Sequence, residues 1–149
     1  MKIYPARTPR LLRPAPRIPA FHPVPGRGRR DGWTALRQAE FIGYLAQTRS
    51  VSSAARQVGM ARETAYRLRA RRWAEGFVAA WDAAMGKPQS GPTAPARKVT
   101  TEELRWRTEC GLWQVRMTNR RFCGLVHKPD NSALLSLLGR LGPARYDDL

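Results

Sequence analysis

The chain has 149 residues, enough for one modest hydrophobic core or for one small domain with tails. Its formal net charge of +16 and its pI of about 11.5 indicate a polyanionic partner, either nucleic acid or an anionic membrane face. No uninterrupted apolar run is long enough for a secretory signal or a membrane span, so we expect neither.

Residues 1–31 are rich in proline and arginine. They carry eight basic residues and one acidic residue, a net charge of +7, against +4 for residues 32–86 (8 basic, 4 acidic) and +5 for residues 87–149 (11 basic, 6 acidic). Because frequent proline blocks helices and sheet ladders, the segment is predicted to be a disordered arm. Such an arm either binds DNA phosphates or a minor groove, or is an unselective solubilising tail or the product of a mis-assigned start site.

A first helix is predicted from about Thr34, a suitable N-cap residue, through Thr48. Phe41, Ile42 and Leu45 form an apolar stripe at helical spacing. A stripe of this kind is more often core than a ligand site. We therefore expect this helix to pack on the pair that follows it.

The stretch from Ser50 to Arg72 fits two short helices joined by a tight turn at Gly59. Glycine adopts a positive φ at little cost, which ends the first helix and redirects the chain. Ala55 lacks bulk, so the second helix can cross closely above it. The other positions expected to be buried are Ala54, Val58, Met60, Ala65 and Leu68.

This pattern predicts a helix-turn-helix whose second helix has an open, basic face. Guanidinium groups on such a face reach guanine edges or phosphates in a major groove. The alternative is a plain helical hairpin with solvated arginines. The residues predicted to contact DNA are Arg62, Glu63, Thr64, Tyr66, Arg67, Arg69 and Arg71.

Residues 33–85 resemble the helix-turn-helix proteins that include phage terminase small subunits and resolvase- and transposase-type DNA-binding domains. The resemblance implies an all-helical DNA-binding domain over residues 32–86 and does not separate DNA packaging from gene regulation. The family usually has a serine before the second helix; this chain has Ala61, and we expect the missing cap to cost about 1 kcal/mol of local stability. The matching residues are Trp33-Thr34, Gln38, Phe41, Leu45-Ala46, Val51, Ala54-Ala55, Val58-Gly59, Thr64-Ala65-Tyr66, Leu68, Phe77 and Trp81.

A fourth helix is predicted from about Ala74 to Met85, with Phe77 and Trp81 in the core. Residues 87–99 follow as a proline-containing linker without periodicity. A bundle of three to four helices therefore occupies residues 32–86.

Residues 100–142 predict a helix, a β-hairpin and a second helix, which we call the C-terminal appendage. It is too small to make a core alone. It is expected either to fold back onto the bundle or to pair with the same segment of another chain, giving a homo-oligomer. The first helix is expected from Thr101 to Cys110, started by a Thr100–Glu103 capping box. The strands are expected at 112–118 and 121–127, joined by a turn at Asn119-Arg120. The last helix is expected to be capped by Asp130 or Asn131 and stopped by Gly142-Pro143, and its apolar face consists of Leu134, Leu135, Leu137, Leu138 and Leu141.

No catalytic constellation is visible in the sequence, so we expect a protein that is not an enzyme and that has no metal or other cofactor. His22 and His127 lack a recognisable nucleophile. Cys110 and Cys123 lack the paired spacing of a zinc site and are expected to be reduced thiols in a cytosolic protein.

The sequence thus predicts a mainly α protein with a disordered basic arm and a small helix–hairpin–helix appendage. Three functions fit it: a DNA-binding helix-turn-helix protein, regulatory or phage-derived; a terminase small subunit-like DNA-packaging adaptor; or a basic protein that binds nucleic acid non-specifically. The first of these is the expected function, with double-stranded DNA as the partner, no membrane, and a location in the cytoplasm, bacterial or phage-derived and associated with the nucleoid. In the third, the basic arm dominates and the chain binds RNA or anionic surfaces without sequence preference.

Overall fold

The computed structural model describes residues 17–26, 28–87 and 97–142. This part of the chain is mainly helical, with one two-stranded antiparallel sheet. None of its helices has the length and apolar character that crossing a bilayer requires. The elements are α1 (Ala35–Thr48), α2 (Val51–Gln57), α3 (Arg62–Arg69), α4 (Glu75–Ala84), α5 (Thr101–Cys110), β1 (Leu112–Thr118), β2 (Arg121–Lys128) and α6 (Asn131–Leu141).

Side-chain caps start four of these helices. In each, an oxygen of the cap residue accepts the N–H three residues later, which pairs an otherwise unsatisfied donor of the first turn. The predicted caps of α1, α5 and α6 are confirmed, although Glu103 turns to arginines instead of completing the capping box. The four cap residues are Thr34, Ser50, Thr100 and Asp130.

Aromatic rings form the centre of the main core, between α1 and α4. The fully buried Phe41 ring lies 5.3 Å from Trp33, 6.2 Å from Phe77 and 5.0 Å from Trp81, measured between centroids. The pairs with Trp33, Phe77 and Trp81 are edge-on, stacked and tilted, respectively, and such aromatic contacts stabilise the core beyond the apolar area that each ring buries. The predicted core positions of Phe41, Phe77 and Trp81, and of Ile42 and Leu45, are confirmed.

The disordered arm predicted for residues 1–31 is wrong for residues 17–26, which we call the N-terminal strap. Its Ile18, Phe21 and Val24 are buried in the main core. Their spacing of three matches the period of a polyproline II segment, so the interleaved prolines are compatible with one buried side. Residues 1–16 of the predicted arm lie outside the described residues.

Backbone and side-chain hydrogen bonds hold the strap in place. Phe21 exchanges two backbone hydrogen bonds of 2.9 Å with Trp113 of β1. The buried amide of Gln38 accepts the N–H of Val24 at 2.7 Å and donates to its carbonyl at 2.9 Å. The Trp106 indole donates to the Pro23 carbonyl at 2.8 Å. These partners come from α1, α5 and β1, so a local sequence pattern does not reveal them.

The β-hairpin forms as predicted, with Lys128 added to its second strand. Asn119 and Arg120 have φ angles of 50° and 62°, the left-handed pair of a type I′ turn, which matches the twist of the flanking strands. Glycine is the favoured residue at the second position. An arginine held there costs roughly 1–2 kcal/mol, because its Cβ crowds the following carbonyl.

The hairpin folds back onto α1, which is the first of the two arrangements expected for the C-terminal appendage. The Phe122 ring lies 5.2 Å from the Tyr44 ring, and the Phe122 N–H donates to Gln47 Oε1 at 2.9 Å. A Cβ placed on Gly43 would stand 2.6 Å from Phe122 Cγ, so glycine allows the close approach. The hairpin is therefore part of the main core.

The helices α5 and α6 pair around a second, smaller core of Leu104, Ala133 and Leu137. Val99 packs against this core, so the end of the predicted 87–99 linker is part of the folded structure; residues 88–96 lie outside the described residues. The buried Glu103 carboxylate accepts guanidinium hydrogen bonds from residues 97 and 107. Four other leucines of α6 are exposed: Leu134, Leu135, Leu138 and Leu141.

A short contact links the strap to α6. His22 Nε2 lies 2.5 Å from Asp130 Oδ2, while Asp130 Oδ1 accepts the Ala133 N–H at 3.0 Å. Burial opposes ionisation of Asp130, but these two contacts outweigh it and hold the pKa of the carboxyl below its ordinary value.

Candidate nucleic-acid interface

The helices α2 and α3 are joined by a turn at Gly59, as predicted. Gly59 has a φ of +73°, and a Cβ at this position would meet no atom within 4 Å, so the backbone conformation alone explains the glycine. The N–H of Met60 donates to the Ala55 carbonyl at 2.9 Å and closes the turn. The chain then enters α3 in a new direction.

The inward side of this helix pair is closely packed. Ala55 is 1% exposed, so a larger side chain has no room where the helices approach each other. Met60 was predicted to be buried but is only half-buried, because it follows the turn and only one side of it meets the core. The remaining predicted positions are all buried: Ala54, Val58, Ala65 and Leu68.

The outward side of α3 presents polar and charged groups to solvent. Within the described ranges, the guanidinium groups of Arg62, Arg67 and Arg71 have no carboxylate within ion-pair distance. Their positive charge is therefore uncompensated locally. The predicted site residues that are exposed are Arg62, Glu63, Tyr66, Arg67 and Arg71.

Tyr66 has an exposed edge and a packed face. It is 43% exposed, yet its ring lies 5.4 Å from the Trp81 ring of α4. The Arg62 guanidinium lies 5.6 Å from the centre of the Tyr66 ring. Together these contacts restrict the orientation of the Tyr66 ring while part of the side chain stays exposed to solvent.

Thr64 connects α3 to the segment before α1. Its hydroxyl accepts the Trp33 indole N–H at 3.1 Å and donates to the Ala61 carbonyl at 2.6 Å. Its hydroxyl is thus already engaged within the protein, which makes it a positioning group. Ala61 makes no side-chain cap, as predicted, and the first-turn amides of α3 have no side-chain acceptor.

Arg69 does not join the exposed set. Its guanidinium stacks over the Trp81 ring at 4.9 Å and lies 3.5 Å from an Asp82 carboxylate oxygen. The predicted direct DNA contact of Arg69 is therefore replaced by a contact with α4. The sequence placed it on the open face because helical spacing alone does not show which neighbour covers a helix end.

Two arginines from the end of the basic arm predicted for residues 1–31 also lie near α3. Arg29 and Arg30 are exposed in the loop before α1, and this loop is held by the Arg37 guanidinium, which donates to two of its carbonyls at 2.9 and 2.7 Å. Trp33 is hydrogen-bonded to α3, so the loop lies near the first turn of α3. The only sequence signal was the charge itself.

The titratable groups offer no assembled metal site in residues 17–26, 28–87 and 97–142, where no three His, Cys, Asp or Glu side chains cluster. Burial raises the pKa of the Cys110 thiol to about 12, so that the thiol stays protonated at neutral pH. His127 Nε2 lies 2.8 Å from the Cys110 carbonyl oxygen, and the His127 ring stacks on the Trp113 ring with a centroid distance of 4.3 Å. Both groups are engaged in structural contacts.

Comparison with known proteins found no matching family model, no matching curated protein and no matching solved structure.

Proposed function

We propose that this chain is a DNA-binding helix-turn-helix protein and that α3 is the helix that enters the major groove. The observation that carries the proposal is the two-sidedness of α3. Ala65 and Leu68 are fully buried on one side, while Arg62 and Arg67 are exposed and unpaired on the other, as far as the described chain extends.

The dimensions of α3 suit a groove. A helix with its side chains is about 10–12 Å across, which matches the major groove width of about 12 Å, and the eight residues of α3 give it about 12 Å of length within the groove. The turn at Gly59 and the small Ala55 hold α3 against α2 while its outer face stays uncovered. An exposed, rigidly held helix of this length can lie in the groove without rearrangement of the core.

The side chains then divide by role. Arg67 in the second half of α3 is suited to bidentate contact with a guanine edge. Arg62 and Arg71 suit phosphates on either side of the groove. The uncapped amides at the start of α3 can donate hydrogen bonds to a further phosphate oxygen. Thr64 and Arg69 hold α3 in place through Trp33 and Asp82.

Selection from a random duplex pool, followed by affinity measurements on selected and scrambled sequences, tests this proposal. Arg67→Ala should reduce the discrimination between the two by about 1–3 kcal/mol, because a bidentate base contact is lost. Arg105→Gln, at an exposed position on α5, removes one charge and is the matched control. An equal loss on both sequences would show that Arg67 contacts phosphate only, and no loss on either would exclude α3 as the interface.

The biological role that fits best is a small regulator or a phage-derived DNA-recognition protein acting in the bacterial cytoplasm at the nucleoid. A terminase small subunit-like packaging adaptor is the second candidate. It is favoured by the four exposed leucines of α6, because homo-oligomers bury apolar surface between copies.

Sizing of the purified chain by light scattering separates these roles. A ring-forming oligomer that dissociates when Leu138→Ser is introduced would favour packaging. A monomer or dimer that is unaffected by this substitution would favour regulation. Affinity that is equal on every duplex sequence would instead favour the non-specific nucleic-acid-binding function.

A further inference from the structure

The β-hairpin carries a second basic surface, at its turn. We define the hairpin tip as Arg116, Arg120 and Arg121, all of which are exposed. Residues 112–128 include four basic residues and no acidic one. Within residues 17–26, 28–87 and 97–142, no carboxylate pairs with the hairpin tip.

The turn of the hairpin places one of these arginines in a left-handed backbone conformation, which is unusual for a residue other than glycine. Arg120 has a φ of 62° at the turn position where glycine fits without strain. Arg121 pairs with Thr118 and Arg116 pairs with Gly124, on either side of a register shift in the hairpin, and both arginine side chains are exposed. A strained residue in a cluster of like charges, with no described internal partner, points to an external partner.

The hairpin tip is held rigidly on the rest of the molecule. Phe122, next to the tip, packs on α1 at Tyr44 and hydrogen-bonds to Gln47. The other end of α1 meets α3 through the Trp33–Thr64 hydrogen bond. Tyr44 and Gln47 lie 9 and 12 residues beyond Ala35, the first residue of α1, so about 14–18 Å of helix axis separates the contacts that hold the two basic surfaces.

We infer that the hairpin tip binds the phosphate backbone of duplex DNA, outside the groove that α3 occupies. This inference rests on the proposed function for its choice of partner. A separation of about 14–18 Å exceeds the groove width of about 12 Å, so a contact at that distance reaches backbone beyond the groove edge. The hairpin tip consists of arginines and has no apolar side chain that could insert between bases. It is therefore suited to contact phosphates, and such contacts do not distinguish one base sequence from another.

The test uses the full chain and the substitution Arg120→Gly. Removing the strain should raise Tm by about 2–5 °C. Losing one phosphate contact should lower affinity for a mixed-sequence duplex about 5–10-fold near 0.1 M salt and flatten the log-log salt slope by about 0.9. Arg121→Gln, which leaves the turn intact, should show the same loss in affinity without the gain in Tm.

Arg105→Gln is the control for net charge, and its affinity should change less than about twofold. If Arg120→Gly and Arg105→Gln behave alike, the inference is overturned. A loss of affinity accompanied by a lower Tm for Arg120→Gly would also overturn it, because damage to the hairpin would explain the loss. An equal loss on single-stranded RNA with none on duplex DNA would overturn the assigned partner.

The outcome is separable from that of the proposed function. If Arg67→Ala leaves duplex affinity and discrimination unchanged while Arg120→Gly lowers affinity, the α3 proposal fails and the hairpin contact is supported. If only Arg67→Ala has an effect, the α3 proposal is supported and the hairpin contact fails.

Discussion

Truncating Phe21 should destabilise this protein as strongly as truncating a core residue of a helix. Phe21 is 1% exposed, and its ring meets the Phe77 ring edge-on at 5.9 Å. Phenylalanine-to-alanine changes at such positions cost about 3–5 kcal/mol, of which the aromatic pair accounts for about 0.5–1.5 kcal/mol. For a chain of this length the loss corresponds to a drop in Tm of roughly 6–20 °C.

Urea denaturation followed by far-UV circular dichroism measures this change. Leu36→Ala is the matched control, because Leu36 is an apolar residue that is 49% exposed on α1, and its truncation should cost less than about 1 kcal/mol. If Phe21→Ala were as mild as the control, the strap would not belong to the core. Deleting residues 1–26, which removes the strap, should reproduce the large loss.

Three further predictions concern the hairpin, the cap of α6 and the thiols. Gly43→Ala should cost about 1–3 kcal/mol in the same urea assay, because its Cβ would press on the Phe122 ring. Asp130→Asn should lower stability at neutral pH and lose its effect in strong acid, as shown by urea midpoints measured against pH. Cys110, whose thiol has a pKa of about 12, should resist iodoacetamide at pH 8 in the folded protein, while the exposed Cys123 is alkylated, as read by mass spectrometry.

The sign of the Asp130 effect follows from the direction of its shift. The carboxyl has a pKa below its ordinary value of 3.8 in the folded chain, so the folded state favours the ionised form. The resulting stabilisation is present above pH 3.8 and is lost as the pH falls through the folded value. A constant difference between Asp130→Asn and the parent down to the most acidic pH would contradict this linkage. Rapid alkylation of Cys110, or an unchanged urea midpoint for Gly43→Ala, would likewise contradict the packing around those residues.

Local signals in the sequence predicted local structure well. Thr34 and Thr100 cap their helices as expected, Gly59 turns the chain with a positive φ, and Asn119-Arg120 forms the hairpin turn. Each of these outcomes depends on residues within a few positions, where backbone geometry and capping dominate.

Contacts between distant segments explain what the sequence did not predict. Phe21 is buried because β1 and α4 complete its surroundings, although the surrounding prolines favour an unfolded arm. Arg69 turns to Trp81 and Asp82 because α4 passes beside the end of α3. Neither neighbour follows from helical periodicity, which specifies a face but not what lies against it.

The strap has a consequence for the order in which the chain assembles during synthesis. Its partners Trp106 and Asp130 lie 83 and 108 residues downstream of Pro23 and His22. At ribosomal rates of about 5–20 residues per second, the strap waits roughly 4–22 s for these partners after it has been made. The strap therefore completes its contacts only after residues 106–130 have been made, and until then the growing chain lacks the hydrogen bonds from Trp106 and Asp130.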